Sequence, residues 1–195
     1  MEKNSDVLII SCGIFKKEIE FLKKENRLSY PTIFLDSAVH IYPEKLQTVL
    51  TNAIEKALKS FQYIILMYGD CHPYINDLYD PKRVVRLSGI NCCENILGRE
   101  LYRKLRKEGA FFVFEEWAYR WKEIFVDEIG LNEKIAPIFM KSMHKSILYI
   151  DTGVSEVPID ILKEMSAFFD LPFDIMKVEL DFLTDSIVKA YEGIC

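Results

Sequence analysis

Short apolar runs alternate with longer amphipathic ones along the whole chain, and this alternation constrains the fold more than any other feature. The short runs are "DVLIISC" (6–12), "TIFLD" (32–36), "YIILMYG" (63–69), "VVRLSG" (84–89), "AFFVFE" (110–115), "SILYID" (146–151) and "FDIMKVEL" (173–180). Rich in Ile, Val, Phe and Tyr, they read as strands buried on both faces. Between them the spacing predicts helices over 15–26, 43–60, 92–108, 117–143, 158–169 and 183–193. The clearest is 43–60, with Pro43 in its first turn and Leu46, Val49, Leu50, Ile54 and Leu58 along one side. Gly109 suits a C-cap for the third helix, and breaks are expected near Gly130 and at Pro137 in the fourth. The expected class is α/β: an open, mostly parallel sheet of about six or seven strands with helices on both faces, a three-layer doubly wound arrangement. With 195 residues, 50% of them apolar, and no repeat or linker, a single domain over 1–195 is expected.

A net charge of −5 gives no electrostatic footprint for nucleic acid or an anionic membrane surface. No apolar run approaches the roughly 18 residues that a membrane span needs, and the start "MEKNSDVLII" passes straight from charge into a strand, so a cytoplasmic protein is expected. In a reducing compartment the five cysteines are packing residues, metal ligands or reactive thiols rather than disulfides.

Their positions argue for a site. Ligands of open parallel sheets bind outside the carboxyl ends of the strands. Cys12 ends the first strand, Cys71 and His72 follow the third, and Cys92 and Cys93 follow the fourth. Asp36, Ser37 and His40, then Glu116 and Trp117, then Asp151 and Thr152, follow other strand ends on the same expected rim. Gly13, Gly69 and Gly89 each permit a tight turn or close backbone approach there. "SGINCCENILG" reads as strand, turn and helix start with Asn91 as N-cap, which places Cys92 and Cys93 in a first turn whose dipole favours thiolate. A lone cysteine at a strand end is more often packing than chemistry; four at one edge reverse the balance. Pro73 allows His72 to be a loop former as readily as a ligand, His40 reads as a rim group, His144 as a solvated helix-end residue, and Cys195 as incidental.

Other site chemistries lack their motifs. There is no phosphate-cradling G-x-x-x-x-G-K-[ST], no G-x-G-x-x-G after the first strand, no G-x-S-x-G and no C-x-x-C pair. Asp70-Cys71-His72 matches the opening of the D-x-H-x-x-G cobalamin signature, but Ile75 stands where its glycine belongs.

"LIISCGIFKKEIEFL", "YIILMYGDC" and "INCCENILGRELYRKLRKEGAFFVFEEWAYRW" together resemble the family called domain of unknown function 1638. That family shows a strand ending in Cys-Gly, then Tyr-Gly-x-Cys, then Asp-Cys before a short helix with a glycine. The matching positions are Cys12 and Gly13, Tyr68, Gly69 and Cys71, and Cys92 or Cys93 with Gly98, followed by Trp117; Asn91-Cys92-Cys93 stands here where the family has Asp-Cys. The resemblance implies a role in corrinoid or one-carbon metabolism, with a small molecule or a corrinoid protein as partner.

The expectation is a metal centre held by Cys12, Cys71 and one of Cys92 and Cys93, either an iron-sulfur cluster with an open iron or zinc completed by His72 or water. Asp36, His72, Glu94 and Glu116 are candidate acids or bases, and Gly13, Tyr68, Gly69 and Trp117 candidate pocket residues. Two alternatives stand beside it: a metal-free enzyme using Cys92 as nucleophile with His72 as base, and a partner-binding module with structural cysteines.

Overall fold

The computed structural model describes residues 6–194. The chain is α/β, with seven strands and eight α-helices among those residues: β1 (Val7–Cys12), α1 (Lys16–Lys24), β2 (Thr32–Leu35), α2 (Pro43–Ala57), β3 (Tyr63–Met67), β4 (Val84–Arg86), α3 (Cys92–Leu97), α4 (Arg99–Glu108), β5 (Ala110–Val113), α5 (Glu115–Tyr119), α6 (Ala136–Met143), β6 (Ser146–Asp151), α7 (Ile159–Phe169), β7 (Phe173–Lys177) and α8 (Asp181–Glu192). All the predicted strands are present. They form two sheets, however, not one continuous sheet: β2-β1-β3-β4 and β5-β6-β7, each wholly parallel. β4 is only three residues long and ends its ladder beside β3. The chain accordingly clusters into two compact units, one formed up to Gly98 and from Leu180 onward, the other by Arg99–Glu179.

In the first unit, alternate residues of adjacent strands share a face. Leu8 and Ile10 of β1 and Ile64 and Leu66 of β3 form one cluster with Leu46, Leu50, Ile54 and Ala57 of α2. Ile9, Ile65 and Met67, of opposite parity, are also fully buried. α8 packs against β3 and β4, burying Leu183 and Ile187, so the sheet is covered on both faces. Arg27 reaches Asp181 at 2.5 Å and Tyr30 stacks on Tyr191, tying α8 to the segment before β2.

The predicted helix over 92–108 is two helices. Gly98 has φ 77°, a conformation that L side chains avoid, and it separates α3 from α4. Gly109, with φ 91°, follows the end of α4 as expected.

The second unit is built around aromatic rings. Phe111 of β5, Phe125 and Phe169 of α7 meet edge to face, and Trp121 packs on Phe168 and Phe169. The predicted helical region 117–143 opens as α5, widens to a π-helix over Lys122–Glu128 and restarts as α6. Gly130, with φ 79°, marks the break; Pro137 does not, because it lies in the first turn of α6, where a missing N–H costs nothing. His144 is not a solvated helix end either: it is half-buried with its ring 5.1 Å from that of Phe111, and burial lowers its pKa.

Among the described residues no helix is long and apolar enough to cross a membrane. Leu50, with none of its surface exposed, anchors α2 in the first unit. Leu50→Ala should cost about 2–5 kcal/mol in urea unfolding, while Ile138→Ser, at a position 74% exposed, should change stability by less than about 0.5 kcal/mol. A Leu50→Ala loss below about 1 kcal/mol would contradict this core.

Candidate functional site: the cysteine-bearing edge of the four-stranded sheet

The carboxyl ends of β1, β3 and β4 bring four thiols to one edge of the first unit. Cys12 is the last residue of β1. The β1–β3 register runs through Ser11↔Met67, so its continuation sets Cys12 beside Tyr68, both with the parity of the α2-facing residues. Tyr68 belongs to that apolar cluster, and Cys12 and Cys71 pack against it. Gly13 holds the neighbouring strand end close: a Cβ there would lie 3.0 Å from the Leu35 carbonyl oxygen. Asp36 follows β2 and accepts the Ala38 N–H at 2.9 Å.

Two loops are pressed together by backbone contact. A Cβ on Gly69 would stand 2.3 Å from the Ile90 carbonyl oxygen and 2.4 Å from Asn91 Cα, so only glycine fits. The Asp70 N–H donates to the Ile90 carbonyl at 2.7 Å. Cys71 and the Cys92-Cys93 pair flank that contact in sequence. On the far loop, the Asn95 side-chain oxygen accepts the buried Gly89 N–H at 3.0 Å, and Asn91 caps α3 by accepting the Glu94 N–H at 2.9 Å, as expected for an N-cap. Arg86 adds a strut: its Nη1 lies 2.9 Å from the Asp70 carboxylate and donates to the Tyr68 carbonyl at 3.4 Å.

The electrostatics differ from the expectation of activated thiolates. Burial pushes the Cys71 thiol up to about 11, and the neighbouring Cys92 adds to the shift; the Gly69 backbone hydrogen bond and Arg86 oppose it without cancelling it. Cys92 is raised well above the ordinary thiol value by its hydrogen bond and charge interaction with Cys93 and by burial. The dipole of so short a helix does not overcome them. Burial also raises the Tyr68 hydroxyl, with Cys12, Cys71 and Asp36 as the charged neighbours that reinforce it. That hydroxyl is buried without a hydrogen-bond partner, a state worth about 1–3 kcal/mol of lost stability.

The other predicted residues have distinct surroundings. His72 is buried, and its Nδ1 accepts the Tyr74 N–H at 3.1 Å, which leaves Nε2 carrying the proton of the neutral ring. Glu94 is buried on α3 in the same unit. Glu116 and Trp117 lie on α5 in the second unit, where Glu116 pairs with Arg120 at 3.0 Å and Trp117 meets Phe125 edge to face. In that unit Asp151 accepts the Gly153 N–H at 2.9 Å and Thr152 follows β6. The His40 side chain and Cys195 lie outside the described residues. Among those described, no group of three or more His, Cys, Asp and Glu side chains is arranged to hold a metal ion.

Sequence reading missed Arg86 and Asn95, although a guanidinium inside an otherwise apolar strand was a usable signal. It also missed the buried Glu115, whose Oε2 accepts the Ser155 hydroxyl at 2.5 Å across 40 residues of chain, a pairing that no local pattern announces.

A pH profile tests the raised thiol. In metal-free protein Cys71 keeps its proton to about 11 when folded but loses it from the usual value of 9.0 when unfolded. The unfolded chain therefore binds fewer protons across that window, and stability must fall as pH rises through it. The fall should be smaller in Cys71→Ser; identical slopes for the two proteins would refute the shift.

No curated protein matches the chain. The family model described as "Protein of unknown function (DUF1638)" matches residues 34–187, which includes Tyr68, Gly69, Cys71, both residues of the Cys92-Cys93 pair and Gly98, while Cys12 and Gly13 precede the matched span. The match covers most of the chain, and the protein belongs to the DUF1638 family.

Proposed function

We propose that the protein binds a thiophilic metal, as zinc or an iron-sulfur cluster, at the carboxyl edge of its four-stranded sheet through Cys12, Cys71 and one of Cys92 and Cys93. The observation that carries this reading is the placement of soft donors after three strand ends at one edge of the sheet, with Cys12 and Cys71 packed on the same cluster and Cys71 beside Cys92. Such donors select zinc or iron-sulfur over hard cations.

The raised thiol pKa values speak against a nucleophilic cysteine, and they require a metal to displace the thiol protons on binding. Mutual proximity and burial keep Cys71 and Cys92 protonated while no cation is present, and neutral thiols are not drawn into a ligand shell. A bound cation reverses the balance, since coordination deprotonates a thiol outright. A nucleophilic cysteine has the opposite requirement, a lowered pKa with a cationic or basic partner. Here Arg86 is engaged by Asp70, and the His72 nitrogen that could accept a proton is occupied by the Tyr74 N–H.

Each residue has a part in holding the site. Gly69 lets the Cys71 loop lie on the Ile90-Asn91 backbone. Arg86 fixes the Asp70 carboxylate beside that loop. His72, with Nδ1 committed, braces the loop and leaves the fourth position to solvent or an exogenous ligand. A metal bound there supplies Lewis acidity if it is zinc and electron transfer if it is a cluster.

The test is metal analysis and visible absorption on protein purified without oxygen and without a metal-affinity column. About one zinc per chain, or iron with acid-labile sulfide, is expected. Cys12→Ser, Cys71→Ser and one of Cys92→Ser and Cys93→Ser should each weaken retention at least tenfold, identifying the third ligand. Folded protein that neither retains nor takes up metal, or variants that bind like the parent, would sink the reading.

A further inference from the structure

The π-helix over Lys122–Glu128 and α7 of the second unit enclose a cleft of about 530 Å³, a volume within the range of small-molecule sites. The Ile129 N–H donates to the Ile124 carbonyl, five residues back, at 3.1 Å. This wider winding is rare in helices and recurs at functional sites. Trp121 and Phe168 supply aromatic lining, with their ring centroids 5.0 Å apart, and Val126 adds an apolar wall. Trp121 is fixed from behind by Phe169.

The charged groups are arranged around that aromatic lining. Lys122 places its Nζ over the Trp121 ring, 5.4 Å from the centroid, and at 2.5 Å from Oε1 of Glu164 on α7. An ammonium is thereby held between an aromatic face and a carboxylate, the two contacts by which proteins recognise organic cations. Glu133 brings a second carboxylate to the lining, so two negative groups stand against one positive one. The Lys122 and Glu164 side chains are 60% and 51% exposed, and an ion pair this open to solvent is weak and easily exchanged.

We infer that this cleft binds an organic cation, a ligand with an ammonium head and an apolar body, and that Lys122 holds the ammonium position in the free protein. The ligand's head takes the place between Trp121 and Glu164, its body lies along Phe168 and Val126, and the Lys122 side chain turns out to solvent. No bond is made or broken. The excess of carboxylates sets the sign of the preferred ligand, and the aromatic lining sets its apolar character. The site lies within the second unit and rests neither on the cysteines nor on a metal.

The probe is 2-phenylethylammonium, with 2-phenylethanol and 3-phenylpropionate as neutral and anionic controls of the same shape. Each is titrated into the full-length protein by calorimetry, and into Trp117→Phe, in which Trp121 is the remaining tryptophan and its fluorescence reports on the cleft. Saturable binding of the ammonium probe is expected, with both controls at least roughly tenfold weaker. Glu164→Gln keeps the shape and removes the charge, and should weaken the probe roughly tenfold. Lys122→Met removes the internal competitor and should tighten it, a result that a merely structural ion pair would not give. Absence of saturable binding in both the parent and Lys122→Met overturns the inference. Controls that bind as tightly as the ammonium probe, or a Glu164→Gln protein that binds it like the parent, overturn it as well.

Discussion

The backbone contact between Gly69 and the Ile90-Asn91 peptide is the constraint on which the candidate site depends. Parallel strands cannot by themselves bring the loops that follow them into register; something must hold those loops side by side. Here it is the absence of a Cβ at Gly69, which would otherwise stand 2.3 Å from the Ile90 carbonyl oxygen, together with the 2.7 Å bond from the Asp70 N–H to that same carbonyl. The Arg86–Asp70 pair and the Asn95 bond to the Gly89 N–H fix the two loops from either side. Cys71 and the Cys92-Cys93 pair are neighbours as a consequence of this bracing.

Grouping thiols in a partly buried place has an electrostatic cost. Burial and the neighbouring Cys92 raise the pKa of Cys71, the Cys93 hydrogen bond and burial raise that of Cys92, and burial raises that of Tyr68. Thiols that hold their protons this tightly are poor nucleophiles.

Much of the architecture was legible because burial on both faces leaves a plain mark: every strand was found as a continuous apolar run, and α2 by its helical stripe. Division into two sheets was not legible. Nothing in "VVRLSG" says that only three of its residues will pair, and Gly98 read as one more residue of a helix until its φ of 77° showed a break. The gathering of cysteines at one sheet edge was legible, but not its electrostatics. Strand ends located Cys12, Cys71, Cys92 and Cys93, and Asn91 announced itself as an N-cap. The helix-dipole argument for thiolate failed because it weighed one α3 turn without the adjacent thiol and the burial that outweigh it. Glu116 and Trp117 follow a strand of the second sheet, so the shared rim assumed for them depended on the single sheet that the chain does not have.

X-ray absorption at the metal edge, on protein loaded with one equivalent of zinc or iron under nitrogen, tests the central claim most directly. For zinc the account predicts a first shell with three sulfurs at about 2.3 Å, one of them lost in Cys71→Ser. A shell of nitrogen and oxygen only, or one unchanged by that substitution, would contradict it.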